Sequence, residues 1–131
     1  MNLSTWSPYL LSVLRIMSGL LFLEHGTSKI LGWPPSPMPS HGPFELFSLM
    51  GFSGVLELVG GILLAIGLFT RVAAFILSGE MAVAYFMVHF PQAFAPMVNK
   101  GELAVLYCFV FLYLAAAGGG PWSIDRLRSH R

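Results

Sequence analysis

The chain is short of charge. Of its 131 residues 10% are charged and 56% are hydrophobic, with a mean hydropathy of +0.74. A soluble domain carries about 25% charged residues, and a soluble helical bundle needs a polar outer face that so few charges cannot supply. Net charge is +1, which excludes the basic footprint of a nucleic-acid-binding protein. Cysteine is nearly absent. Cys108 stands alone, so no intramolecular disulfide, CxxC pair or zinc cluster can form, and it reads as a small buried hydrophobe. There is no Walker loop, GxGxxG fingerprint or nucleophile elbow, and "GGIL" and "AGGGP" read as packing and stop glycines. The N-terminal "MNLSTWSPYLLSVLRIM" has no basic n-region, and Arg15 falls where a signal peptide needs an unbroken apolar run. It is read as the start of a retained first helix.

What is present is apolar runs of membrane-spanning length. A bilayer core needs about 20 mostly apolar residues per helix. Four segments qualify, at about 8–31, 44–69, 72–90 and 101–117. The first ends at "GWPPSPMPSHGP", whose five prolines forbid a helix. Thr70 and Arg71 alone join the second to the third, which makes those two an antiparallel hairpin. The fourth stops at "GGGP". The expected fold is all-α: an integral membrane four-helix transmembrane bundle in one domain, residues 1–131, with 118–131 as an interfacial cytoplasmic tail. Arg71, Arg126, Arg128 and Arg131 share one side and Lys29 and Lys100 the other. The positive-inside rule therefore puts both termini in the cytoplasm.

Charged groups inside a span cost about 2.5–3.5 kcal/mol each, so they are candidate functional residues. At 1.5 Å per residue, Arg15 lies about 9 Å from the cytoplasmic edge, Glu80 about 12 Å and Glu57 about 18 Å. Glu24, His25, Lys29, His89 and Glu102 lie within about 8 Å of the outer edge on the same count. Gly54, Glu57, Gly61 and Ala65 share a helical stripe, which turns Glu57 into the bundle. Arg15, Glu57 and Glu80 thus form a candidate inner layer: a proton network, or equally an ion-pair network that only holds the helices together. In the outer layer Glu24 and His89 lie about 180° from Arg15 and Glu80 on ideal helices, so convergence needs a bend near Gly26 or Pro91, or a partner subunit. His25 and His89 read first as interfacial hydrogen-bonding histidines. Axial haem ligation by the two is less favoured, because their phases do not match. A carboxylate-bridged metal pair would need Glu-x-x-His, which is missing, so no metal site is expected. Met81, Tyr85, Phe86 and Met87 are candidates for lining a flat-ring pocket, and His41 and His130 read as solvated.

Four quoted stretches in this order resemble one family across essentially the full length: "LRIMSGLLFLEHGTSKILG", "LELVGGILLAIGLFTRVAA", "EMAVAYFMVHFPQAF" and "NKGELAVLYCFVFLYLAAAGGGPWSIDRL". They are similar to the DoxX family of small four-helix bacterial membrane proteins. The resemblance places the family's span-one positions on Arg15, His25, Gly26 and Lys29. Its glutamate–glycine element falls on Glu57, Gly60 and Gly61, and its later positions on Glu80, His89, Gly101 and Glu102. The ending departs from the family's glycine–proline–glycine-like pattern as "GGGPWSID", which bears on stop geometry only. What the resemblance implies is a quinone-associated protein of the bacterial inner membrane, since relatives serve as the membrane subunit of a thiosulfate:quinone oxidoreductase or accompany quinone and thiol redox systems. The expectation is a redox subunit that binds a quinone near the outer half of the bundle through His25, Lys29, His89 and Glu102. Protons would pass through Arg15, Glu57 and Glu80. The expected partners are lipid, further copies of the chain or a soluble redox protein. The rival expectation is a non-catalytic scaffold or a small-molecule binding or transport module.

Overall fold

The computed structural model describes residues 2–35 and 48–129. Most of the proline-rich join, His41, the expected first residues of the second span at 44–47, and His130 and Arg131 lie outside the described residues. Every regular element among the described residues is helical: a single 3-10 turn at Leu3–Trp6, then α1 (Ser7–Leu31), α2 (Leu49–Ile66), α3 (Thr70–Ala84), α4 (Pro96–Asn99), α5 (Glu102–Ala117) and α6 (Ile124–Ser129). Leu3–Leu31, Leu49–Ile66 and Thr70–His89 are long and apolar enough to cross a membrane, and Glu102–Ala117 is a shorter apolar helix.

Local chemistry sets the ends. α2 starts at Leu49 because Ser48, in extended conformation, accepts the Gly51 amide with its side chain at 3.0 Å. It stops at Ile66 because Gly67 turns left-handed at φ 73°. The Gly67 and Leu68 amides then fold back on the Leu63 carbonyl at 2.8 and 2.9 Å. The helix therefore ends earlier than the Thr70–Arg71 join read from hydropathy, which is blind to a glycine cap. α3 does not run regularly to Phe90. It passes at Tyr85–His89 into a π turn closed by Phe90 N to Tyr85 O, 2.9 Å.

The chain divides into two compact units, residues 1–70 with 119–131, and residues 71–118. In the first, α1 and α2 are antiparallel, and glycines set their separation. A Cβ on Gly19 would stand 2.6 Å from the Ala65 amide nitrogen, and one on Gly61 2.7 Å from the Leu23 nitrogen. One on Gly54 would stand 2.8 Å from Lys29 Cβ. Residue numbers facing each other thus sum to about 84 along the whole seam. Without a hydrophobic drive between helices in lipid, such close backbone approach supplies the association. Gly61→Ala is expected to cost about 1–3 kcal/mol by overpacking. Gly79→Ala, with nothing within 4 Å of its added methyl, is expected to be neutral or stabilising by up to about 1 kcal/mol. Thermal unfolding of the two variants in detergent compares them directly.

In the second unit α3 and α5 are also antiparallel. The Ser78 hydroxyl donates to the Cys108 carbonyl at 2.7 Å, and Arg71 donates to the Ala115 carbonyl at 3.3 Å and to that of Ala116. Tyr107 and Phe111 stack at 5.5 Å with 14° between planes. Large apolar side chains such as Leu10, Phe75, Leu106 and Phe109 are more than 60% exposed, a surface suited to acyl chains rather than water.

Candidate functional site

Lys29 and Glu57 form an ion pair across the α1–α2 seam, 2.7 Å from Nζ to Oε1. The backbone explains it. Side chains lean toward their own helix N-terminus. Because α1 and α2 run antiparallel, Lys29 near the end of α1 leans back along the seam while Glu57 leans toward the start of α2. Each points at the other. Ser53, one turn before Glu57, takes a hydrogen bond from Lys29 at 3.0 Å and gives one to Glu57 Oε1 at 3.2 Å. Glu57 is 2% exposed and Lys29 19%. The second carboxylate oxygen, Oε2, is buried with no hydrogen-bond partner among the described residues.

Arg15 is placed differently from the inner layer expected for it. On the seam register it stands level with Phe69, about 12 residues or 18 Å along α2 from Glu57. It is fully buried. Nη1 donates to the Gly119 carbonyl and Nη2 to the Trp122 carbonyl, the latter at 2.7 Å. Ser12, one turn earlier, accepts the Trp122 amide at 3.1 Å, and the Tyr9 and Trp122 rings lie 5.4 Å apart. Gly67 makes room for this arrangement, since a Cβ there would stand 2.5 Å from Arg15 Nη1. Arg15 therefore ties the C-terminal segment onto the first helix.

Asp125 completes that tie. Its carboxylate accepts the Phe69 amide at 2.8 Å and the Thr70 amide at 2.9 Å, while its own amide donates to the Gly67 carbonyl at 2.9 Å. Burial opposes ionisation of this carboxyl, but the Thr70 and Phe69 donors and the nearby Arg128 charge outweigh it and hold its pKa below the ordinary aspartate value of 3.8. A carboxyl with a depressed folded pKa adds stability above the unfolded value, and that stability is lost as pH falls through the folded one. The unfolding temperature of the protein should therefore drop between about pH 4 and more acid conditions by more than that of Asp125→Asn. Equal slopes for the two proteins would remove this role.

In the second unit Tyr85 and His89 stand one turn apart at the π turn and converge on Asn99, which is 1% exposed. Asn99 Nδ2 donates to Tyr85 Oη at 3.2 Å and to the Ala93 carbonyl at 2.9 Å, and its backbone carbonyl lies 3.1 Å from His89 Nδ1. π turns inside helices are frequent at functional sites. Glu80 is half-buried on α3, Glu102 is exposed in the first turn of α5, and His25 is exposed with its ring 5.8 Å from Phe22. Of the expected residues, Lys29 and Glu57 thus form a pair, Arg15 a tie and His89 part of a cluster, and Glu80, Glu102 and His25 stand apart from these three groups. Ser12, Ser53, Asn99 and Asp125 escaped the sequence reading. Ser53 and Ser12 left a signal there, one turn from Glu57 and from Arg15 on the same faces.

The DoxX family profile matches residues 10–90, which take in most of α1, the Lys29–Glu57 pair and the π turn. The chain belongs to the DoxX family. It is 46% identical over 127 residues to a Haemophilus influenzae protein without an assigned function, covering 95% of this chain and 94% of that one. It is 30% identical over 124 residues to the inner membrane protein YqjF of Escherichia coli, covering 88% of each. It is 28% identical over 114 residues to CatD of Bacillus subtilis, provisionally named an oxidoreductase, covering 86% of this chain and 82% of CatD. No solved structure matches. This DoxX protein is an integral membrane protein, and Lys29, Glu57 and Arg15 on its apolar helices are each engaged with a partner.

Proposed function

We propose that this DoxX protein is the quinone-associated membrane subunit of a redox system in the bacterial inner membrane. The observation that carries the reading is Glu57: a carboxylate 2% exposed inside a spanning helix, with one oxygen held by Lys29 and Ser53 and the other without a donor. Reducing a quinone takes up two electrons and two protons. A buried carboxylate with one oxygen open can take a proton there and pass it on, while Lys29 fixes its orientation. Arg15 is engaged with two carbonyls, so the acid/base pair is Glu57 with Lys29. No side chain of this chain carries electrons, and the two electrons come from a soluble redox partner protein. The provisional oxidoreductase name of CatD and the inner-membrane name of YqjF support this reading. The arginines at 71, 126 and 128 support a cytoplasmic placement for both termini.

The test is titration of the purified protein with a short-chain quinone, read by tryptophan fluorescence, together with quinone-linked redox in membranes carrying Glu57→Gln or His25→Ala. Saturable quenching, with variants that fold normally and lose the redox activity, is the expected result. No quenching refutes the proposal. A second reading, a non-catalytic scaffold, is favoured by the glycine seam and the Arg15 tie, both of which use polar or small residues for assembly. It gains if Glu57→Gln loses assembly and nothing else.

A further inference from the structure

The donors and acceptors around Asn99 fix the positions of two protons. The Asn99 side chain is fully used. Oδ1 accepts the Gly101 amide at 2.8 Å, and Nδ2 donates to Ala93 O and to Tyr85 Oη. The amide group cannot be turned over, because a carbonyl has no hydrogen to give and a backbone N–H has nothing to accept with. Tyr85 Oη is therefore the acceptor of its bond to Asn99, and its own O–H is left to donate elsewhere. The same reasoning applies to His89. Its Nδ1 faces the Asn99 carbonyl at 3.1 Å, so Nδ1 bears the proton and the neutral imidazole keeps a lone pair on Nε2. Among the described residues neither the Tyr85 O–H nor His89 Nε2 has a further hydrogen bond. Gly101 holds the arrangement tight, since a Cβ there would stand 2.7 Å from the Tyr85 ring.

One donor and one acceptor are thus left over, one turn apart on the same helix, with their rings 6.3 Å apart. We infer that Tyr85 and His89 together bind a ring hydroxyl, so that the protein holds the reduced, phenolic form of its aromatic ligand in preference to the quinone. A phenolic hydroxyl satisfies both groups, giving its hydrogen to Nε2 and accepting from the tyrosine. A quinone carbonyl can only accept, and it leaves Nε2 desolvated and unmatched. This rests on the reading that the protein binds a quinone, and it specifies which redox form binds better.

The experiment compares a short-chain ubiquinone analogue with its quinol, under anaerobic and mildly alkaline conditions where imidazoles are neutral, on the purified full chain in detergent. The quinol is expected to bind about tenfold more tightly, the discrimination that one acceptor covered by the ligand and left unmatched produces. His89→Ala, which removes the acceptor that a quinone leaves unmatched, is expected to bring the ratio of the two affinities close to one, whereas Tyr85→Phe, which keeps the ring packing but removes a donor that serves both forms, is expected to weaken both and leave the ratio standing. Nitrogen NMR of the unsubstituted protein supplies an independent readout, with His89 expected as the Nδ1–H tautomer. Binding of both forms with equal affinity, a ratio that survives His89→Ala, or an Nε2–H tautomer overturns the preference while leaving quinone binding intact. Failure of either form to bind overturns both.

Discussion

Lys29→Met is expected to lower stability by about 3–5 kcal/mol, the cost of leaving one partner of a buried pair uncompensated. Glu57 is 2% exposed, and without Lys29 its Oε1 keeps only the Ser53 hydroxyl at 3.2 Å. The double variant Lys29→Met with Glu57→Gln should recover most of that loss, since the remaining side chain is neutral. A double-mutant cycle on thermal unfolding in detergent isolates the coupling. Additive losses would mean that the two side chains do not act as a pair. Gly54 refines the expectation. Its missing side chain lets the lysine stem lie against α2, and Gly54→Leu should mimic Lys29→Met by displacing that stem.

Arg15→Met carries the second large effect. Two charge-assisted hydrogen bonds to Gly119 and Trp122 would be lost, each worth roughly 1.5–3 kcal/mol. The expected loss is about 3–6 kcal/mol. Arg15→Lys should recover less than half, because one ammonium cannot reproduce a planar fork that serves two carbonyls. The distinguishing measurement is tryptic cleavage after Arg126 and Arg128 in otherwise folded protein. Cleavage should accelerate strongly in Arg15→Met and to an intermediate degree in Arg15→Lys. Unchanged cleavage would show that the C-terminal segment is held by other contacts, such as the Tyr9–Trp122 ring pair.

These residues also show what a sequence can carry. Hydropathy and breakers picked out the apolar helices, because both depend on local composition. Helical phase correctly grouped Gly54, Glu57 and Gly61, because a stripe is a property of one helix. Pairing is a property of two. Depth counted from estimated helix ends assigned Lys29 and Glu57 to separate layers and Arg15 to the layer of Glu57. The seam register instead sets Glu57 level with residues 26 and 27, within reach of a lysine leaning inward. Arg15 bonds to carbonyls more than 100 residues later in the chain, and backbone acceptors leave no mark in a residue pattern. Asn99 was equally silent, since "PMVNKG" reads as a turn whatever its asparagine holds.

The Arg15 tie has a consequence for synthesis. The helix that contains Arg15 is made before the carbonyls that satisfy it, which lie more than 100 residues later in the chain. During translation the guanidinium must either stay at the membrane surface or enter the bilayer without its partners, at a cost of about 2.5–3.5 kcal/mol. The Arg15 guanidinium is therefore satisfied only after Gly119 and Trp122 have left the ribosome, so a late segment of the chain completes the setting of an early helix.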